Sequence, residues 1–317
     1  MAADPTAAHL PLPQPRRRGA RWEQLSRDVQ IPANLTGRER LVAELTAFTP
    51  LVPPSGVWSG LTALRVHDLW LPDLPLALPH FIAMGSVQGE VKPERHQLRV
   101  MRHPTSPGRI ETAGIVVQPV AEALRSAANV LGMLDLVVAI DSALHARLCT
   151  VADLRIVAAE RRRGVRLLRP ALLLADARAE SPWESLLRLL HVSCGIDVIP
   201  QHEIFDAAGR FAARGDLLVC GTNLLQEYDG AQHRDAAEHR RDLERERRIA
   251  DAGAVRRGYI ARDLLDHPYE ILRAASEALG RPHPPSASPW LGLLAGSLRM
   301  PAGRRTFLRR IGLSNWS

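Results

Sequence analysis

The sequence predicts an α/β protein: a small α+β unit, a helical segment and a larger α/β unit. Three observations carry this. The chain has 317 residues, a length that suits two hydrophobic cores better than one. Hydrophobic residues make up 46% and charged residues 24%, the balance of a chain that folds over most of its length. The apolar spacing also switches twice, becoming helical near Pro119 and alternating after Gly195.

Residues 1–20 are mainly Ala, Pro and Arg without periodicity, so a disordered tail is expected there. The α+β unit is expected over 21–118. In it Thr36, with Glu39 three residues on and apolar Leu41, Val42, Leu45 and Phe48, predicts a helix opened by a capping box and closed at Pro53-Pro54. A short helix over 59–69 and strands around Phe81, Val91–Val100 and Ile115–Val117 complete the unit. Residues 119–178 read as a helical connector of four amphipathic stretches separated by Gly or short polar turns.

The second unit is expected over 179–280. A helix begins after Ser181-Pro182 and runs towards Gly195. Three strands follow, VIPQHEIF, RFAARGDLLV and LLQEYD, separated by turns at Asp206–Gly209 and Gly221–Asn223. A charge-dense helix near 236–250, a fourth strand near 255–261 and a helix near 267–279 end the unit. Gly215 is expected to weaken the second strand. The Pro/Ser-rich and then basic stretch 281–317 reads as a tail.

Basic residues exceed acidic ones by 7 and the sequence pI is about 10.2, which favours a polyanionic partner such as DNA. All but one of the basic residues are arginines, the exception being Lys92. Three widely spaced cysteines, Cys149, Cys194 and Cys220, form neither a disulfide framework nor a zinc knuckle and are expected as buried thiols. No leader-like apolar segment or membrane-length apolar run is read, so a cytoplasmic protein is expected. Phosphate-binding Gly-rich loops, zinc-protease motifs and nucleophile elbows are missing, which leaves NTPase, metalloprotease and α/β-hydrolase readings without support.

Four acids stand where the fold alone would be served by other residues. Glu184 is on the helix, Asp216 in the second strand, Glu227 in the third, and Asp229 two residues later on the same strand face. Carboxylates gathered this way repel one another unless a hard cation with oxygen ligands, Mg²⁺ or Mn²⁺, holds them.

The run ESPWESLLRLL, the turn DAAGRF, the strand RGDLLV and above all EYDGAQH resemble the PD-(D/E)XK nuclease-like domain related to very-short-patch repair endonucleases. The likeness spans about 179–275. Upstream, SGLTALRVHDLWLP and GIVVQPVAEAL resemble type IV antitoxin and abortive-infection proteins that begin with a winged helix. The resemblance implies a winged-helix-like first unit and a restriction-endonuclease-like core with a mixed sheet. It further implies metal-dependent hydrolysis of DNA, with Asp216, Glu227, Glu184 and Asp229 as metal ligands and Glu184, Asp216, Glu227 and His233 as catalytic groups. The superfamily's lysine two residues after the glutamate is replaced here by Asp229. His233 is the residue that the patch-repair group's pattern offers instead. Arg214, Arg240, Arg241, Arg247 and Arg248 are the expected phosphate contacts, although HRRDLERERR also reads as a solvated helix face. The other function is a catalytically inactive DNA-binding or antitoxin-like regulator.

Overall fold

A computed structural model describes residues 21–75, 78–230 and 236–313, without the side chains of 236–240. They form two compact units, one of 21–69 with 75–127 and one of 70–74 with 128–313.

The first unit opens with an antiparallel hairpin, β1 (Trp22–Ser26) and β2 (Val29–Pro32), followed by α1 (Gly37–Phe48). Thr36 is the N-cap of α1, yet its side chain makes no capping hydrogen bond. Gly37 takes a φ of 54°, so the first turn leaves the path that the expected capping box requires. Then come β3 (Val57–Trp58), α2 (Gly60–Val66), β4 (His80–Gly85), β5 (Leu98–His103), β6 (Ile110–Thr112), β7 (Ile115–Val117) and α3 (Val120–Ala127). The five strands form one mixed sheet in the order β5-β4-β3-β7-β6. Its centre is dry, with every residue of β4 buried.

The second unit starts with helices α4 (Met133–His145), α5 (Val151–Ala159) and α6 (Val165–Leu174), so the expected connector is divided, α3 belonging to the first unit. Next are α7 (Pro182–Ser193), β8 (Val198–Phe205), β9 (Phe211–Val219), β10 (Leu224–Tyr228), α8 (Ala236–Asp251) and β11 (Val255–Tyr259). The sheet order is β11-β10-β9-β8, antiparallel except for the parallel pair β10 and β11 that α8 bridges. The β8–β9 turn is drawn tight by Asp206, whose carboxylate accepts from the backbone N–H groups of Ala208 and Arg210. One side of the sheet packs Ile204, Ala212, Ala213 and Leu225 against Ile249 of α8. Gly215 is no weak point: a Cβ there would lie 2.9 Å from Leu225 Cδ2, so packing requires glycine within an intact strand.

Helices α9 (Ala261–Asp266), α10 (Pro268–Ala278), α11 (Ser288–Ala295) and α12 (Pro301–Arg310) follow. The expected C-terminal tail is therefore corrected: the part of it described here folds. Trp290, Leu294, Leu298, Phe307 and Ile311 are buried, and Trp290 Nε1 donates to the Leu264 carbonyl at 3.0 Å. Asp135 of α4 receives the Ser297 hydroxyl at 2.6 Å and the Leu298 N–H at 2.8 Å. Five buried apolar side chains and a buried polar anchor give this segment the contacts that its Pro/Ser content conceals. Cys194 is buried while Cys149 and Cys220 are half-buried, and all three are free thiols. Among the described residues no helix is long and apolar enough to cross a membrane.

Candidate functional site

The acids singled out in the sequence lie where α7 meets the sheet. Ser181 caps α7 by accepting from the Glu184 N–H at 3.1 Å, and Pro182 supplies a first-turn φ suited to a helix. This puts Glu184 in the first turn, with its carboxylate directed to the sheet. There it accepts from Gln201 Nε2 at 2.7 Å and from the Glu180 N–H at 2.9 Å. Gln201 has a left-handed φ of 52° within β8. The flanking register pairs, Pro200 with Leu217 and His202 with Gly215, set it across from Asp216.

Asp216 accepts from the Tyr228 N–H at 2.8 Å, tying β9 to the end of β10 through a side chain where a backbone ladder bond would otherwise run. Its carboxyl is pushed up to about 7. Burial is the main cause, the charges of Glu184 and Glu227 add to it, and the Tyr228 N–H and Arg245 oppose it. Glu184 and Glu227 therefore both act on Asp216, one from α7 and the other from β10.

Glu227 is only 4% exposed and is held by two guanidinium groups. Arg245 of α8 bonds both of its oxygens, at 2.9 and 2.6 Å, and donates to the Arg214 carbonyl as well. Arg256 of β11 bonds Glu227 through Nε and Asp229 through Nη2. Burial raises the Glu227 carboxyl, but the hydrogen bonds and charges of the two arginines outweigh it and the net shift is downward. Two glycines make room for these acids. A Cβ on Gly258, which pairs with Glu227, would lie 1.8 Å from Asp229 Oδ2, and one on Gly215 would approach Glu227 Oε1 to 3.4 Å.

Beside the acids, Trp183 and Tyr228 stack with ring centroids 5.1 Å apart and an interplanar angle of 6°. Arg299 lies 4.4 Å from the Trp183 ring centroid. Under this corner, Arg188 of α7 pairs at 2.8 Å with Asp141 of α4, a buried ion pair that fixes α7 on its neighbouring helix.

Glu184, Asp216, Glu227 and Asp229 are thus brought into one neighbourhood. Arg214 pairs with Glu180 at 2.8 Å, while Arg241, Arg247 and Arg248 are exposed on α8. His233 and the side chain of Arg240 lie outside the described residues. Sequence reasoning missed Arg245, Arg256, Gln201 and Gly258. Arg245 carried a signal: it stands one turn before Ile249, the one fully apolar anchor of its helix end, and so shares the face turned to the sheet. The others needed the strand register.

An all-oxygen donor set of this kind has the chemistry of a Mg²⁺ or Mn²⁺ site. In the arrangement described, Glu227 and Asp229 are taken by arginine, and among the described residues no group of three or more His, Cys, Asp or Glu is arranged to hold a metal. Comparisons with family models, curated proteins and solved structures give no match for the chain.

Proposed function

We propose that the second unit is a nuclease-like domain that hydrolyses phosphodiester bonds in DNA with the help of a divalent cation. The observation that carries this reading is the buried Asp216 carboxyl standing between the charges of Glu184 and Glu227, a place where a cation would relieve repulsion that the protein itself leaves in part uncompensated. The element order from α7 to β11, with acids on the helix and on the second and third strands, supports it as well.

Asp216 and Glu184 would hold the cation, joined by Glu227 when its arginines release it. When bound, such an ion polarises a phosphoryl oxygen and lowers the pKa of water. Gln201 keeps the Glu184 carboxylate turned to the sheet, and the Tyr228 N–H fixes Asp216. His233 is proposed to move the proton that the superfamily's lysine would otherwise handle. The exposed arginines of α8 would grip the DNA backbone.

The clamp on Glu227 and Asp229 favours a second reading, an inactive nuclease-like protein that binds DNA as a regulator. A plasmid-nicking assay with Mg²⁺ or Mn²⁺ separates the two. The nuclease reading expects metal-dependent nicking that Asp216→Asn reduces at least about 10³-fold while DNA binding persists. DNA binding without nicking in the wild-type protein would support the regulator.

A further inference from the structure

The two arginines on Glu227 and Asp229 match them charge for charge. Glu227 and Asp229 contribute two negative charges, and Arg245 and Arg256 contribute two positive ones. Glu227 is almost fully enclosed, so charges around it are poorly screened. A divalent cation entering this group would leave a local excess of two positive charges, unless the guanidinium groups found anions elsewhere. The two arginines differ in freedom. The Arg256 side chain is 18% exposed and spans both acids, whereas the Arg245 side chain is 29% exposed at the end of a long stem on α8. Arg241 and Arg248, one turn to either side of Arg245, are exposed on the same stripe of the helix. That stripe leads from the surface to the carboxylates, and guanidinium binds phosphate oxygens in the same forked geometry with which it binds a carboxylate.

We propose that Arg245 is a gate that fills the cation's place on Glu227 in the DNA-free protein and passes to a backbone phosphate when DNA arrives, so that DNA and a divalent cation bind cooperatively. This rests on the nuclease reading of the same site. It makes Arg245 a positioning residue acting through Glu227, and it reverses the usual expectation for an acidic cluster: the free protein holds cations weakly because it already contains two. By linkage, whatever factor DNA adds to cation affinity, the cation adds to DNA affinity.

The test is a titration of Mn²⁺ into the full chain, followed by loss of the free-ion paramagnetic resonance signal. It is run without DNA, with a short duplex after subtraction of a duplex-only blank, and on Arg245→Gln without DNA. Wild type alone should bind weakly. The duplex should tighten Mn²⁺ binding about tenfold or more, a usual size for coupling between sites, and Arg245→Gln should tighten it by a similar factor with no DNA present. Equal wild-type affinity with and without DNA overturns the gate, and so does an Arg245→Gln affinity equal to or weaker than wild type. The duplex comparison uses wild type alone and stands even if the variant fails to fold. Tight, DNA-independent binding of Mn²⁺ with metal-dependent nicking would remove the gate and leave the nuclease reading intact. Failure of wild type and variant alike to bind Mn²⁺ under all three conditions would remove both.

Discussion

Asp216 titrates near neutrality because burial and two like charges act on a single carboxyl, and this makes the site a term in the protein's own stability. Its folded-state pKa of about 7 lies above the ordinary aspartate value of 3.8. The folded state therefore binds this proton more tightly than the unfolded chain. The stabilisation is complete below about pH 4 and is lost as pH rises through 7, amounting to about 2–4 kcal/mol over that range. Asp216→Asn, which stays neutral, should be more stable than wild type at pH 8 and should close that gap by pH 4. Denaturant unfolding at both pH values measures it, and equal pH profiles for the two proteins would count against the assignment. Gln201 shows where residue-level reading stops. Its amide holds Glu184, but a glutamine in an alternating strand carries no sign of a left-handed backbone.

At the level of elements, the glycines explain how two acids fit at the join of β10 and β11. Gly258→Ala would drive a methyl group into Asp229, forcing that carboxylate off Arg256. A cost of about 1–3 kcal/mol is expected, as for overpacking elsewhere. On an Asp229→Ala background the same substitution should cost less than about 0.5 kcal/mol, because the atom it meets is gone. A thermodynamic cycle over the four proteins reads the difference, and purely additive costs would show that Asp229 lies elsewhere. The helix–meander–helix–strand order of this unit was legible from apolar periodicity, and so were the acids on it, since Ser181-Pro182 and the turns at Asp206–Gly209 and Gly221–Asn223 punctuate the chain plainly. The arginine clamp was not. Arg256 meets Glu227 only because β11 pairs parallel with β10 in one particular register, and periodicity is blind to register between strands.

Across the whole molecule, the least legible part was the stretch after Arg281. Proline and serine hide its structure, since the information lies in five apolar residues spread over 290–311 and in an acid, Asp135, more than 160 positions away by the separation of its bonded partners. Trp290→Ala should cost about 3–5 kcal/mol by emptying a fully buried site and freeing the Leu264 carbonyl. The loss should appear in the unfolding of the second unit, and a change under about 1 kcal/mol would mean that the segment is loosely attached. The basic surplus was legible as a global property, while its division into exposed and carboxylate-bound arginines depended on the fold.

The crossover through α8 also sets an order of events during folding. Parallel strands need a long connection, and the ends of such a loop must meet before their contacts stabilise anything. Glu227 is thus enclosed by β9 and β10 at a stage when neither Arg245 nor Arg256 has arrived, their separations from it in the chain being 18 and 29 residues. A nascent chain that has emerged only as far as Tyr228 holds the acids of the site without their counter-charges. Closure of the last strand is then the event that completes both the sheet and the electrostatic balance of its acids, so that the site is born whole with its domain and has no partially assembled precursor.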